Sequence, residues 1–300
     1  MSVLYPIETS NFYKLCLRVF QEVRFPLRFS NFSKLMYGNF THVFLLVLKE
    51  RLNVSYRRFV QIADEMRLQR MLCIRKIPHF TTLQKFMQRI EKGILEKMVR
   101  ACRKLLKLAD LEASIDGTGF SNTNPSHYYA KRIDGKIPGN FTSTILLADN
   151  CSKLVLNIRT QSDRSAETRS FIPLVKDLRK ALSCVLADKG YDSMDNRRYC
   201  WSENIDVHIP VRKCREKRTG EGYKPCYSKQ RRIAVEKFDA VKYKRRSLIE
   251  SINSAIKRTL GGYVNSRTAE NQQKQVTVKA LAYNLEVVGR TIKLALFIFA

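Results

Sequence analysis

Four residues toward the C-terminal end have types and spacing that suit catalysis on a charged substrate. Tyr243, Arg246, Glu250 and Lys257 fall within about 60° of one another when residues 243–257 are wound as a helix at 100° per residue. That face presents an aromatic hydroxyl, two cations and one carboxylate. Ile249, Ile252, Ile256 and Leu260 form a separate apolar stripe, turned by roughly 100° from the polar one. A helix packed by that stripe would hold Glu250 at the edge of a core, with cations above and below it. Such a carboxylate suits a metal ion, and its neighbours suit phosphates. The plain alternative is a solvated charged face.

Two carboxylates upstream shift that balance. Asp116 follows Ala113-Ser114-Ile115 and precedes Gly117-Thr118-Gly119, while Asp188 follows Val185-Leu186-Ala187 and precedes Lys189-Gly190-Tyr191. Each is expected at the end of a buried strand, where its side chain leaves the sheet edge without complete desolvation. Singly, an Asp before Gly is usually a turn former. On neighbouring strands, with Glu250 arriving from a helix across the sheet, three carboxylates would repel strongly. Two Mg²⁺ ions about 4 Å apart would relieve that repulsion and make a phosphoryl-transfer site. Asp192, four residues past Asp188, is the poorer ligand because it does not directly follow the apolar run.

The elements that must position these groups follow from the hydrophobic period. Residues 1 to about 110 read as helices. Asn53 ends an apolar-rich helix over 40–52, Ser55 caps the next, Thr81 or Thr82 caps a helix over 83–90, and a basic helix covers about 94–108. This pattern is compatible with a helix-turn-helix-like DNA-binding unit, and equally with any small helical bundle. From Leu111 the period changes. Strands are expected at 113–116, 127–130, 141–148 and 153–160, the last two flanking the hairpin loop Asp149-Asn150-Cys151-Ser152. A helix over 167–182, a buried strand at 184–187, a helix over 194–203 and a strand near 207–210 follow. Residues 212–246 form an insert with 14 Lys/Arg against 4 Asp/Glu, broken by Gly220, Gly222 and Pro225. It reads as a mobile solvated loop or as a phosphate-contacting segment that orders on binding.

Composition narrows the partner. The 300 residues carry 55 Lys+Arg against 27 Asp+Glu, a net charge of +28, which calls for a polyanion, nucleic acid above all. An anionic membrane surface is the rival, but the closing run Leu294–Ala300 is too short to span a bilayer and reads as a terminal core helix. The N-terminus lacks the pattern of a secretory signal. The 8 cysteines include no C-x-x-C pair and the 4 histidines are scattered, which argues against a zinc finger and a disulfide framework. Cys200, Cys214 and Cys226 have spacing that gives a metal cluster little support. His127 and His208 are assigned to packing or phosphate contact, and Trp201 to a half-buried helix position rather than base stacking.

These residues resemble the DDE transposases of bacterial and archaeal insertion sequences. The likeness is closest to the branch marked by Y-(2)-R-(3)-E-(6)-K, which Tyr243, Arg246, Glu250 and Lys257 match at every position. Asp116-Gly117-Thr118 resembles the first-Asp motif, and the run from Asp188 to Asp192 the second. The likeness covers roughly residues 110–290, and Tyr56-Arg57 with residues 78–83 resembles the family's N-terminal helical region. It implies an α/β fold with an RNase H-like core, a mixed sheet flanked by helices, in residues 111–300. A helical N-terminal region, residues 1–110, would precede it and bind DNA. Asp116, Asp188 and Glu250 would be catalytic and would hold two Mg²⁺ or Mn²⁺ ions; Tyr243, Arg246 and Lys257 would contact DNA near the scissile phosphate.

The implied reaction is hydrolysis at each element end to free a 3′-OH, which then attacks target DNA without a covalent protein intermediate. The implied partners are double-stranded DNA, as terminal inverted repeats and target, and further copies of the chain in a homodimer or higher synaptic complex. The implied location is the cytoplasm, associated with the nucleoid and not with a membrane. Two other readings fit the same residues: an RNase H-like nuclease without strand transfer, and a domesticated or decayed DNA-binding protein that keeps fold and charge.

Overall fold

Short punctuation signals set the helical half of the chain. The computed structural model describes residues 7–30, 36–122, 141–161, 168–212, 216–219, 222–225 and 228–298. Its first six helices are α1 (Thr9–Val23), α2 (Asn39–Leu52), α3 (Tyr56–Glu65), α4 (Leu68–Met71), α5 (Phe80–Arg89) and α6 (Lys92–Leu105). α2 stops where Asn53 turns left-handed at φ 49°, and the Ser55 hydroxyl accepts the Arg58 N–H to start α3. α5 starts earlier than expected. His79, not Thr81 or Thr82, is its N-cap, and the Thr81 hydroxyl lies 2.8 Å from the His79 ring instead.

The strands are β1 (Leu111–Asn122), β2 (Phe141–Asp149), β3 (Val155–Gln161), β4 (Leu182–Ala187), β5 (Asp206–His208), β6 (Glu216–Thr219), β7 (Gly222–Pro225) and β8 (Tyr263–Val264). Six of them build one sheet in the order β3-β2-β1-β4-β5, with β8 also paired to β1. β2 runs antiparallel to both β1 and β3; β4, β5 and β8 run parallel to their neighbours. The β2–β3 hairpin forms as its loop residues require, Asp149 accepting the Ser152 N–H and hydroxyl at 2.6 Å. The candidate strand at 127–130, with His127, lies outside the described residues, as do Cys214 and Cys226.

Later helices are α7 (Phe171–Lys176), α8 (Met194–Ser202), α9 (Lys229–Glu236), α10 (Ala240–Tyr243), α11 (Leu248–Leu260) and α12 (Ala269–Ile298). The expected helix over 167–182 is shorter: a 3-10 turn at Thr168–Ser170 leads into α7, which ends at Lys176. Sheet pairing takes over there, since Leu111 N–H donates to the Ala181 carbonyl at 2.8 Å and Leu182 opens β4. The basic insert is not a bare loop. It carries the β6–β7 hairpin, α9 and α10, the helices capped by Ser228 and Asp239.

α12 closes the fold. It packs on α1, α2, α6 and β3; its described buried side chains lie between Gln272 and Val288, Leu294 is 62% exposed, and the side chains of the rest of the closing apolar run lie outside the described residues. Asn284 ties it to the sheet, accepting the Val155 N–H and donating to the Val155 and Val99 carbonyls. Glu286 on α12 accepts the Ile7 N–H at 3.2 Å and pairs with Arg51 at 2.6 Å, so α12 holds the start of the described chain. Among the described residues, no helix is long and apolar enough to cross a membrane. The mixed sheet flanked by helices, after a helical N-terminal region, is the RNase H-like arrangement.

Candidate active site

β1 is longer than its sequence suggests, and this places the first carboxylate. The sequence places Asp116 at a strand end, yet β1 continues through Gly117-Thr118-Gly119 to Asn122 because β2 pairs with it along that whole stretch. The expectation holds in another sense. Pairing with β4 stops at Ile115 opposite Ala187, and β8 joins only at Ser121. Residues 116–120 therefore face a notch on that side of β1, and Asp116 sits at its start. Because Ala187 is the register partner of Ile115, Asp188 leaves β4 beside Asp116.

The third carboxylate arrives on a helical run that crosses this strand. Tyr243 to Leu260 is not one uniform helix: α10 passes through a 3-10 turn, Lys244–Ser247, into α11. The apolar stripe is as expected, with Ile249, Ile252, Ile256 and Leu260 all buried. The run follows the even-numbered side chains of β1. Arg245 pairs with Glu112 at 2.8 Å, Arg246 and Asn253 reach Asp116, and the Lys257 ammonium lies 5.7 Å from the Phe120 ring centroid.

Arg246 lies between two of the acids, 2.5 Å from Glu250 and 3.8 Å from Asp116. Burial pushes the Asp116 carboxyl above its ordinary value; Arg246 pulls it down, and the charges of Glu250 and Asp188 push it up again. Asp116 thus senses both other acids. Burial also raises the Tyr243 hydroxyl, opposed by Arg246 and helped by Asp188 and Glu250, so Tyr243 shares the same field. Desolvation lowers the Lys257 ammonium. A cleft of about 470 Å³ is lined by Asp116, Glu250, Asn253, Lys257 and Gly262, among others. Asp116, Glu250 and Lys257 share this cleft, Arg246 joins two of the acids, and Asp188 and Tyr243 lie close enough to act on the same charges.

Asn253, one turn after Glu250, was missed. Its Nδ2 donates to Asp116 at 3.2 Å, and its buried Oδ1 has no hydrogen-bond partner. The signal was available, since positions 250, 253 and 257 share a helix face. Asp192 is a different kind of group. Its carboxylate is 1% exposed and accepts from Arg197, Arg231 and the Arg212 N–H, whereas Asp188 is exposed and caps the 3-10 turn Lys189–Tyr191. Asp192 is committed to structure and Asp188 is available.

The carboxylate set suits a hard divalent cation. Asp116 and Glu250 offer oxygens that already share a cation, and the orphaned Asn253 oxygen beside them would suit a water of a hydrated ion. A second cluster, Cys184, Asp206 and His208, brings its ligand atoms within 4.8 Å of one another. Its groups are already satisfied. The Asp239 N–H donates to His208 Nδ1 at 3.1 Å, which leaves the ring proton on Nε2 for Asp206 at 2.8 Å, and Lys242 also holds Asp206 at 2.9 Å. Burial pushes the Cys184 thiol up to about 12. These contacts fasten residues 239–242, just ahead of Tyr243, to β5, so His208 serves packing. Trp201 is half-buried against the core with Lys237 5.3 Å from its ring centroid.

Residues 109–285, more than half of the chain, match the family model described as Transposase DDE domain. The chain belongs to the DDE transposase family. No curated protein matches it. Membership makes it a nucleic-acid-processing enzyme by family, of a kind that generally works with divalent metal, and the carboxylates of this DDE domain fit that chemistry.

Proposed function

We propose that this DDE transposase cuts DNA at the ends of a mobile element and joins the freed 3′-OH to target DNA. Asp116, Asp188 and Glu250 are the catalytic carboxylates and hold two Mg²⁺ or Mn²⁺ ions. The observation that carries the reading is their convergence at the notch where β4 ends, with Arg246 between two of them. When bound, the ions activate the attacking oxygen and stabilise the leaving one.

The chain's own groups do the rest. Arg246 neutralises the acids at rest and, with Lys257, binds the phosphates that flank the reacting one. The Tyr243 hydroxyl, kept protonated by burial, donates to a phosphate oxygen. Asn253 orients Asp116 through its amide. Residues 1–110 and the basic insert add phosphate contacts, consistent with the net charge of +28. The match of Tyr243, Arg246, Glu250 and Lys257 to the Y-(2)-R-(3)-E-(6)-K spacing supports that branch, and with it a dimeric or higher complex on paired element ends in the nucleoid.

The test compares wild type with Glu250→Gln on a labelled duplex carrying the gene's own flanks, with Mg²⁺ or Mn²⁺. Metal-dependent 3′-OH ends joined to target by wild type alone are expected. Cutting without joining would instead support a nuclease, and binding without cutting by both proteins a DNA-binding relic.

A further inference from the structure

A second basic groove lies at the seam between the N-terminal helices and α12. It holds about 720 Å³ and is walled by α3 and α5 on one side and by residues 265–268, the turn into α12, on the other. Among the described residues, no aspartate or glutamate lines it. Its cations are Lys49, Arg57 and Arg267, and Gln84, Gln88 and Asn271 supply amides. Arg57 and Arg267 are exposed, and neither makes an ion pair among the described residues. The Arg57 guanidinium lies over the Phe80 ring, 5.0 Å from its centroid.

Behind the groove, the lining Lys49 belongs to a buried cluster with more positive than negative charge. Glu50 takes Lys49 at 2.6 Å, Lys279 at 3.0 Å and Gln275 at 3.3 Å, and all three charged residues are buried. Two buried ammoniums thus share one carboxylate. The Tyr56 ring, 4.7 Å from Lys49, and the Leu260 carbonyl, which accepts from Lys279, offer only partial negative charge. A net buried cation is costly, and an anion seated above it reduces that cost. One wall is also held rigid. Gln275 Oε1 accepts the Asn265 and Ser266 N–H groups at 3.1 Å and the Ser266 hydroxyl at 3.0 Å, and Gln272 donates to the Ser266 carbonyl at 3.0 Å.

We infer that this groove is a second DNA site, which seats the sugar-phosphate backbone of one strand between Arg57 and Arg267, with Lys49 beneath. The inference rests on the DNA-processing reading above. A single small anion would leave most of the volume empty, and an apolar ligand would desolvate the cations and amides without return. The groove also has a defined place relative to the acids. Lys279, buried behind the lining residues Lys49 and Gln275 and joined to both through Glu50, caps Leu260, ten positions after Glu250, which is about 15 Å along α11. A duplex followed over that length spans about four to five base pairs. The same DNA that meets the carboxylates would therefore reach the groove.

The test is equilibrium binding of wild type, Arg57→Ala/Arg267→Ala and Gln84→Glu to a labelled duplex of the gene's own flank. EDTA prevents cutting, and salt is titrated. Losing two phosphate contacts should reduce the slope of log K against log salt by about 1.8 and weaken binding about 60-fold at about 0.1 M salt. Gln84→Glu should also weaken binding, because it places an anion in the groove. All three positions are exposed, and thermal melts matching wild type would show that the variants fold. Normal binding with an unchanged slope in the double variant would overturn the groove while leaving the carboxylate site intact. Weaker binding at unchanged slope would overturn it too, since no phosphate contact would have been lost. Lys257→Ala separates the two claims: its slope should fall whatever the groove does. A wild-type protein that binds no duplex would overturn both.

Discussion

Asp188 and Asp192 are four positions apart and predict opposite phenotypes. Replacing Asp192 with Ala removes the acceptor of three donors, Arg197 at 2.9 Å, Arg231 at 3.1 Å and the Arg212 N–H at 2.8 Å. Arg197 is the critical partner. Its side chain is 1% exposed, its Nε already has no partner, and among the described residues only the Ile209 carbonyl at 2.7 Å would remain to it. Orphaning a buried charge costs about 3–5 kcal/mol. A chain of 300 residues unfolds with an entropy of about 0.6 kcal/mol/K, so Tm should fall by about 5–8 °C. Asp188→Ala loses one exposed capping bond, to the Lys189 N–H at 2.6 Å, worth about 1 kcal/mol and about 2 °C. Thermal melts and a nicking assay on the same preparations give the answer. Asp188→Ala should melt near wild type and fail to nick, and Asp192→Ala should melt low. Adding Arg197→Met to Asp192→Ala should recover part of the loss, because the orphaned charge is gone. Equal melting of the two Asp variants would refute the assignment of structure to one and chemistry to the other.

Further outcomes follow from single contacts. Lys257→Ala should lower DNA affinity and reduce the salt slope by about one unit in a binding titration. Asp206 carries a pH signature: burial would raise its carboxyl, but hydrogen bonds from Lys242 and His208 outweigh this and hold it below its ordinary value of 3.8. A carboxyl depressed in the folded state stabilises the protein above its unfolded pKa and loses that effect as pH falls through the folded one. Urea titrations should therefore show Asp206→Asn weaker than wild type near neutrality, with the gap closing below about pH 4. Gly261 caps α11 at φ +83°, and a Cβ there would lie 2.7 Å from the Asn53 side chain. Gly261→Ala should cost roughly 1–3 kcal/mol in urea unfolding.

The site was readable where chemistry and period coincide. Ile249, Ile252, Ile256 and Leu260 could only be buried together, and that placed Glu250 at a core edge. The mistakes occur where tertiary pairing overrides local preference. Asp116-Gly117-Thr118-Gly119 has the composition of a turn, and only the β2 ladder, invisible in a local window, keeps it extended. The helix over 167–182 was overextended because the Leu111–Ala181 bond that draws residue 182 into the sheet joins positions far apart in sequence. The Lys49–Glu50–Lys279 cluster was illegible for a similar reason. Charged residues at the end of an apolar helix normally signal solvent, and their partners sit on α12. The groove at that seam joins the short motifs at Tyr56-Arg57 and 78–83 to residues 265–268, which lie about 200 positions away in sequence.

The bond between Ile7 and α12 has a kinetic side. Ile7 and Glu286 are bonded across 279 positions, β1 meets β8 only after residue 263 exists, and α12 covers α1, α2, α6 and β3 last. Contacts of such separation form slowly, because the loop entropy must be met before they contribute. Synthesis at 5–20 residues per second takes roughly 15 to 60 s for a chain of this length. For about a fifth of that time, from residue 188 to residue 250, Asp116 and Asp188 are both present without Glu250, and α12 follows later still. A nascent chain therefore carries two acids of the site without the geometry to use them, until Glu250 is made and the buried span of α12, Gln272 to Val288, packs on the core.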